Sequence, residues 1–289
     1  MTCRYDLLVI DLDGTLLDPQ GRVSQANREA VRQARDGGLE VIIATGRALV
    51  ESLTALQAIG HEGLVIAAGG ALLNDAVSGR TIHSSVMPRE LVVDVTNALL
   101  PHGHKVLLLK DPDVTGYHYL AVGPGELDPA SQWWFETLPV SVRFVHEIAE
   151  DPHPGQTVRA GAVADESELA PIARRLEEEI GERCFLQHWA AVTEAQAVGT
   201  RTHVLEVFNP DVNKWTMIAR LCRQRGIESD RVAVIGDGLN DVQMVRHAGL
   251  GVAMGNADPR VRAVADRVTG DSTGGGVAQA IKMMLAGRW

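Results

Sequence analysis

Short apolar runs recur along the first part of the chain, each stopped by small or polar residues. Residues 7–10 read Leu-Leu-Val-Ile and break off at Asp11, Asp13, Gly14 and Thr15. A run that is apolar at every position but too brief for a buried helix predicts a strand covered on both faces, as in a parallel sheet. Residues 39–44, apolar but for Glu40, and 64–68 repeat the pattern, ending at Thr45-Gly46-Arg47 and Gly69-Gly70. Between these runs the apolar period changes. Ala26, Ala30, Val31 and Ala34 predict a helix over 25–35, with Ser24 as its N-cap and Gly37-Gly38 as its stop. Leu49, Val50, Leu53, Leu56 and Ile59 fall on one face of a second helix closed by Gly60. Strand, helix, strand, helix, strand predicts an α/β fold on a parallel sheet.

From about residue 82 the rhythm alters. A helical pattern over 87–100 is followed by strand patterns at 106–109, 117–122, 142–146 and 158–164, with Pro, Gly and His between them. A helix over 166–181 and strands near 184–189 and 203–208 complete an α+β segment. At residue 209 the first rhythm resumes. Asn213 caps a helix over 214–225, and residues 231–235 form a buried strand ending in Gly236-Asp237-Gly238-Leu239-Asn240-Asp241. A helix over 242–248, a strand over 251–254 into Gly255-Asn256-Ala257, a short helix over 261–265, a strand over 267–269 and a helix over 277–285 follow. The reading is a Rossmann-like α/β core of residues 1–81 and 209–289, interrupted by an inserted α+β domain of residues 82–208.

Length and composition narrow the picture. A chain of 289 residues favours two domains over one, and 45% hydrophobic with 22% charged residues is ordinary for a globular protein. A formal net charge of -10 counts against nucleic acid or an anionic membrane as partner, though not against a small anionic substrate. Cys3, Cys184 and Cys222 lack metal-ligand or disulfide spacing and read as reduced thiols. No apolar run is long enough to span a bilayer, and the N-terminus leads into the first strand without a signal peptide, so a cytoplasmic monomer or homodimer is expected.

The strand ends carry the chemistry. Alternation along an extended backbone puts Asp11 and Asp13 on one side. Paired acids repel unless a cation sits between them, although turn capping by Asp11 and solvation of Asp13 would also explain them. In open parallel sheets the carboxyl edge is where ligands bind. There Asp11, Asp13 and Asp237 converge with Asp241 close behind, a set of oxygen donors suited to Mg2+. Thr45-Gly46 is expected to open a helix and offer a hydroxyl and free N–H groups to a phosphate oxygen, with Lys214 adding a point charge. An acidic metal site beside anion-binding groups suits phosphoryl transfer. One carboxylate can attack phosphorus while a second exchanges protons with the leaving alkoxide and the attacking water; physics alone does not assign the roles.

Asp11-Leu12-Asp13-Gly14-Thr15, Thr45-Gly46-Arg47, Lys214 and Gly236-Asp237-Gly238-Leu239-Asn240-Asp241 together resemble the four ordered motifs of the haloacid dehalogenase-like superfamily. The insertion between the second and third motifs resembles the C2-type cap of its Cof-type phosphatases. The resemblance implies that Asp11 is the nucleophile and Asp13 the acid/base. It places Mg2+ on Asp11, the Asp13 carbonyl and Asp237, with Asp241 in or just behind that shell. It gives Thr45, Gly46, Lys214 and Asn240 to the phosphoryl group and leans Arg47 toward the substrate. Two departures stand out: Trp215 follows the motif lysine where the family commonly has glycine, and Gly69-Gly70 replaces a frequent Asn-Gly pair. A cap of this kind is expected to exclude water and select the substrate. Trp133-Trp134, His188 and Trp189 invite a sugar-binding reading, but core packing is the simpler expectation; the scattered cap histidines show no zinc spacing, and Glu177-Glu178-Glu179 reads as a solvated helix face. The expected function is Mg2+-dependent hydrolysis of a small phosphorylated metabolite such as a sugar phosphate. A phosphomutase using the same aspartyl-phosphate and a non-catalytic sugar-phosphate sensor are the alternatives.

Overall fold

The structure, a computed structural model, describes residues 3–190 and 202–289. The chain divides into two compact units, one comprising residues up to Arg80 together with Asn213–Trp289, the other Thr81–Val212. Residue 209 falls with the second unit, where Asn209 Nδ2 donates to Val86 O at 3.1 Å.

In chain order the first unit begins with β1 (Leu7–Asp11), α1 (Gln25–Asp36), β2 (Glu40–Ala44), α2 (Leu49–Ala58), β3 (Leu64–Ala67) and β4 (Leu72–Asp75). The second holds β5 (Thr81–Ser84), α3 (Arg89–Leu99), β6 (Val106–Lys110), α4 (Pro112–Thr115), β7 (Tyr119–Val122) and α5 (Pro129–Thr137). It continues with β8 (Val142–Val145), β9 (Thr157–Asp165), α6 (Glu166–Ile180), β10 (Phe185–Ala190) and β11 (Thr202–Phe208). The first unit then resumes with α7 (Lys214–Arg225), β12 (Val232–Gly236), α8 (Val242–His247), β13 (Leu250–Ala253), α9 (Pro259–Arg262), β14 (Arg267–Val268) and α10 (Gly276–Leu285).

Within the first unit the sheet runs β14-β13-β12-β1-β2-β3-β4. Every pair is parallel except β3 with β4. β1 is central and buried throughout, as the apolar run Leu7-Leu8-Val9-Ile10 predicts for a strand covered on both faces. The order reverses between β1 and β12, so the ends of these strands flank the crevice where such sheets bind ligands. Ser24 caps α1 by accepting the Asn27 N–H, as its position implies.

Two features of this unit differ from the expectation. After β3 the chain turns through Ala68 (φ 49), Gly69 (φ 64) and Gly70 (φ 108) into β4, which pairs antiparallel with β3. The sequence reading ends the strand at Gly69-Gly70 and assigns nothing to the short run that follows, which the structure pairs back on β3 as β4. The second correction concerns α2, which opens at Leu49 rather than at Thr45-Gly46. It buries Glu51 and Ser52, while Val50 and Leu53 are only half-buried. Both polar residues are satisfied locally: Glu51 Oε2 accepts the Ala48 N–H at 2.7 Å and Ser52 Oγ donates to Ala48 O at 3.2 Å.

The second unit is a mixed sheet, β10-β11-β9-β6-β7-β8, antiparallel except for β7 with β8. Its core gathers Leu91 and Val95 of α3, Leu169 and Leu176 of α6, and Leu108, Leu120 and Leu205 of the sheet. Lys110 is fully buried, with Nζ donating to Asp151 Oδ2 at 2.5 Å, Thr157 Oγ1 at 2.8 Å and His153 O at 3.1 Å. Helix α5 carries no clear period because three aromatic residues follow one another. Asp128 starts it by accepting the Ala130 N–H, and Trp133 and Trp134 are half-buried on it rather than core. Glu177, Glu178 and Glu179 are exposed on α6. Cys3, Cys184 and Cys222 are free. Among the described residues no helix is long and apolar enough to cross a membrane.

Candidate active site

The carboxyl ends of β1 and β12 and the start of α7 form the candidate site. Asp11 is the last residue of β1 and is buried; Lys214 is the first of α7 and fully buried. Asn213 sets that helix start by accepting the Thr216 N–H at 3.0 Å. Lys214 Nζ lies 2.5 Å from Asp11 Oδ1 and 2.6 Å from Asp241 Oδ1. Asp241 Oδ2 in turn accepts the N–H groups of Asp237 at 2.9 Å and Gly238 at 3.0 Å, closing the turn after β12. Thr15 Oγ1 donates to Asp237 Oδ1 at 2.6 Å. Asp11, Asp237 and Asp241 each present an oxygen, and the three lie within 4.8 Å of one another.

The electrostatics follow from that crowding. Burial, then the Asp241 carboxylate, pushes Asp11 well above the ordinary carboxylate range, and Lys214 only partly offsets the rise. Burial and Asp241 push Asp237 up to about 7. Lys214 is firmly protonated: burial pulls its pKa down, but Asp11 and Asp241 outweigh it and raise the pKa above the usual ammonium value. Three carboxylates against one ammonium leave uncompensated negative charge among hard oxygen donors. Such a donor set fits a divalent cation.

Asp13 is held apart from this cluster. Arg47 grips it as a fork, Nε to Oδ2 at 2.9 Å and Nη2 to Oδ1 at 2.5 Å. The side chain expected to lean toward the substrate therefore spends its guanidinium on Asp13, with Nη1 also donating to Glu51 O at 3.3 Å. Thr45 needs a second correction. It is buried at the end of β2, its N–H donates to Ile66 O at 2.8 Å, and its hydroxyl accepts the Arg47 N–H at 3.1 Å. Only the hydroxyl, not the Thr45 amide, is left for an anion. Gly46 follows at the end of β2, and Asn240 sits buried in the turn after β12.

Two glycines make the close approaches possible. Gly14 has φ 74, and a Cβ there would lie 2.2 Å from Asp237 Oδ2. Gly70 has φ 108, and a Cβ there would lie 2.3 Å from Asn213 O. Gly70, the glycine that the Asn-Gly pair also supplies, thus lets the β3 turn touch the start of α7; the departure itself lies at Gly69. Trp215, the other departure, is half-buried and stacks on His247, ring centroids 5.8 Å apart and 29° between planes. In the second unit His203 Nδ1 and His188 Nε2 come within 3.1 Å of each other, a pairing across strands that linear spacing does not reveal. Sequence reasoning also gave no role to Thr15 or Glu51. The threonine stood inside the first motif, but nothing in the order of residues points to its partner 222 positions away.

Comparison with known proteins agrees with this geometry. Residues 8–281 match the family of haloacid dehalogenase-like hydrolases. The chain is 29% identical to a Bacillus subtilis phosphatase, YwpJ, over 96% of this chain and 99% of that protein. It is 30% identical to the pyridoxal phosphate phosphatase YbhA of Escherichia coli, over 97% of this chain and 98% of that one. A solved haloacid dehalogenase-like hydrolase from Bacillus subtilis superposes with a TM-score of 0.75 at 26% identity, covering 96% of this chain and 99% of the other. The chain belongs to the haloacid dehalogenase-like hydrolases and is one of their Cof-type phosphatases.

Proposed function

We propose that this phosphatase hydrolyses a small phosphorylated metabolite, a sugar phosphate or a phosphomonoester of similar size, through an aspartyl-phosphate on Asp11 in a Mg2+-dependent reaction. The observation that carries the reading is the convergence of Asp11, Asp237 and Asp241 on buried Lys214 at the carboxyl edge of the sheet. The first unit is the catalytic core in this reading and the second, Thr81–Val212, the inserted cap, in a cytoplasmic monomer or homodimer.

The Asp11 carboxylate attacks phosphorus, and the bond from phosphorus to the ester oxygen breaks. Asp13, as its acid, gives a proton to the departing alkoxide; the same carboxylate then takes a proton from the water that attacks the phosphorylated Asp11. Inorganic phosphate leaves and Asp11 is restored. Arg47 orients the Asp13 carboxyl through its fork. Lys214, the Thr45 hydroxyl, Gly46 and Asn240 hold the phosphoryl oxygens. Asp11, the Asp13 carbonyl and Asp237 would hold Mg2+, which neutralises charge on the phosphoryl group. Asp241 stands behind them, its oxygens engaged by Lys214 and two N–H groups.

The test is phosphate release from sugar phosphates and pyridoxal phosphate, with Mg2+ and with chelator, beside Asp11→Asn. Metal-dependent turnover that the substitution abolishes supports the reading. Turnover untouched by either the chelator or Asp11→Asn would refute it, and an isomeric phosphoester in place of free phosphate would make the enzyme a mutase.

A further inference from the structure

We infer that Asn256 is a positioning residue of the metal site, tying the Asp237 carboxylate to the Gly14 carbonyl so that the carboxylate is set for a divalent cation; the inference rests on the proposed place of Mg2+ at Asp237. Asn256 follows β13 on the loop leading to α9. Two backbone bonds run this loop along the one after β12: Met254 N–H donates to Gly236 O and Asp258 N–H to Asp237 O, each at 3.0 Å. Between these bonds the Asn256 side chain joins three separate segments. Its Oδ1 accepts the Ser272 N–H at 2.9 Å. Its Nδ2 donates to Gly14 O at 2.8 Å and to Asp237 Oδ2 at 3.3 Å.

The Ser272 bond sets which way the amide faces. A backbone N–H needs an acceptor, so Oδ1 must point to it, and both Nδ2 hydrogens then meet the two oxygens on the other side. Thr15 holds the opposite Asp237 oxygen. The carboxylate is therefore gripped at both oxygens, and its plane is fixed before any cation arrives. A neutral donor does this without competing for the negative charge, whereas an ammonium at this position would neutralise Asp237. Groups that orient metal ligands from behind typically change metal affinity about 10–100-fold when removed. Asn256 is exposed, where water replaces part of a lost hydrogen bond, which puts the expected effect near the lower bound of that range.

The experiment is calorimetric titration of the full chain with MgCl2, without substrate, for wild type, Asn256→Ala and Asn256→Asp. Circular dichroism and the metal-free melting midpoint establish that each variant is folded. The expected result is an Mg2+ dissociation constant about tenfold higher in Asn256→Ala. The Mg2+ concentration for half-maximal phosphate release rises with it, while KM for the phosphoester at saturating Mg2+ does not change. Asn256→Asp keeps the shape but loses the donor, so it should weaken Mg2+ binding as well; if negative charge alone set affinity, it would bind as tightly as wild type or better. Wild-type Mg2+ affinity in either folded variant overturns the inference. Wild type that takes up no Mg2+ would instead overturn the metal assignment itself, and the inference with it.

Discussion

Gly70→Ala should disable the enzyme from a position that contributes no functional group. The added Cβ would lie 2.3 Å from Asn213 O, 2.4 Å from Asn213 C and 2.9 Å from Lys214 N. Ordinary van der Waals contact begins near 3.4 Å, so the backbone must yield by about 1 Å. Asn213 is the cap of α7 and Lys214 its first residue, which makes the start of the helix the part that gives way. Lys214 then leaves its places 2.5 Å from Asp11 and 2.6 Å from Asp241. A misplacement of that size at a site built on positioning costs about 10²-fold in kcat/KM. Holding alanine at φ 108 adds strain of about 1–3 kcal/mol to the cost of folding. Gly79→Ala is the control: its φ is 73, but nothing lies within 4 Å of the added Cβ, so strain appears without displacement. Steady-state phosphate release and thermal melting of both variants make the comparison. Gly70→Ala turning over like Gly79→Ala would refute the argument that this turn sets Lys214.

Lys110→Met should cost about 3–5 kcal/mol, because it leaves Asp151 buried without its partner. Urea melts of the full chain would show it, and adding Asp151→Leu should recover most of the loss; a single-variant cost below about 1 kcal/mol would contradict the burial. Asp237 has a folded pKa raised to about 7 from an ordinary 3.8, so its contribution to stability is present below about pH 4 and is lost as pH rises through about 7. In chelator, Asp237→Asn should therefore melt progressively higher relative to wild type between about pH 5 and about pH 8. Mg2+ should reduce that gap by stabilising only the wild type, and a gap independent of pH would refute the assigned cause.

Residues far apart in sequence were legible as one site because each marks the same kind of boundary. Asp11, Thr45 and Asp237 all end apolar runs, and a parallel sheet brings the ends of such runs to one edge whatever the distance between them. Partner choice at that edge was not legible. Arg47 follows Thr45 by two residues, and order alone does not say whether it reaches outward or folds back on Asp13. The Thr45 amide looked free because a helix was expected to open there. Its bond to Ile66 depends on where β3 ends, and that depends on the turn through Ala68, Gly69 and Gly70. Glu51 and Ser52 broke the apolar face of α2 for a related reason. Local bonds to Ala48 remove the cost of burying them, and no hydropathy pattern records a satisfied hydrogen bond.

The central place of β1 constrains the order in which the chain is made. Its neighbour on one side, β12, pairs Leu7 with Val232, so some 225 residues separate the two partners. At ribosomal rates of about 5–20 residues per second, β1 waits roughly 10–45 s for that partner. Through that interval Leu7, Leu8, Val9 and Ile10 present an open, wholly apolar strand edge, the kind that recruits foreign strands. The second unit, by contrast, carries all the strands of its own sheet between Val106 and Phe208 and is complete first. The nascent chain thus passes through a stage with a finished insert and half a sheet, when its need for chaperone protection is greatest.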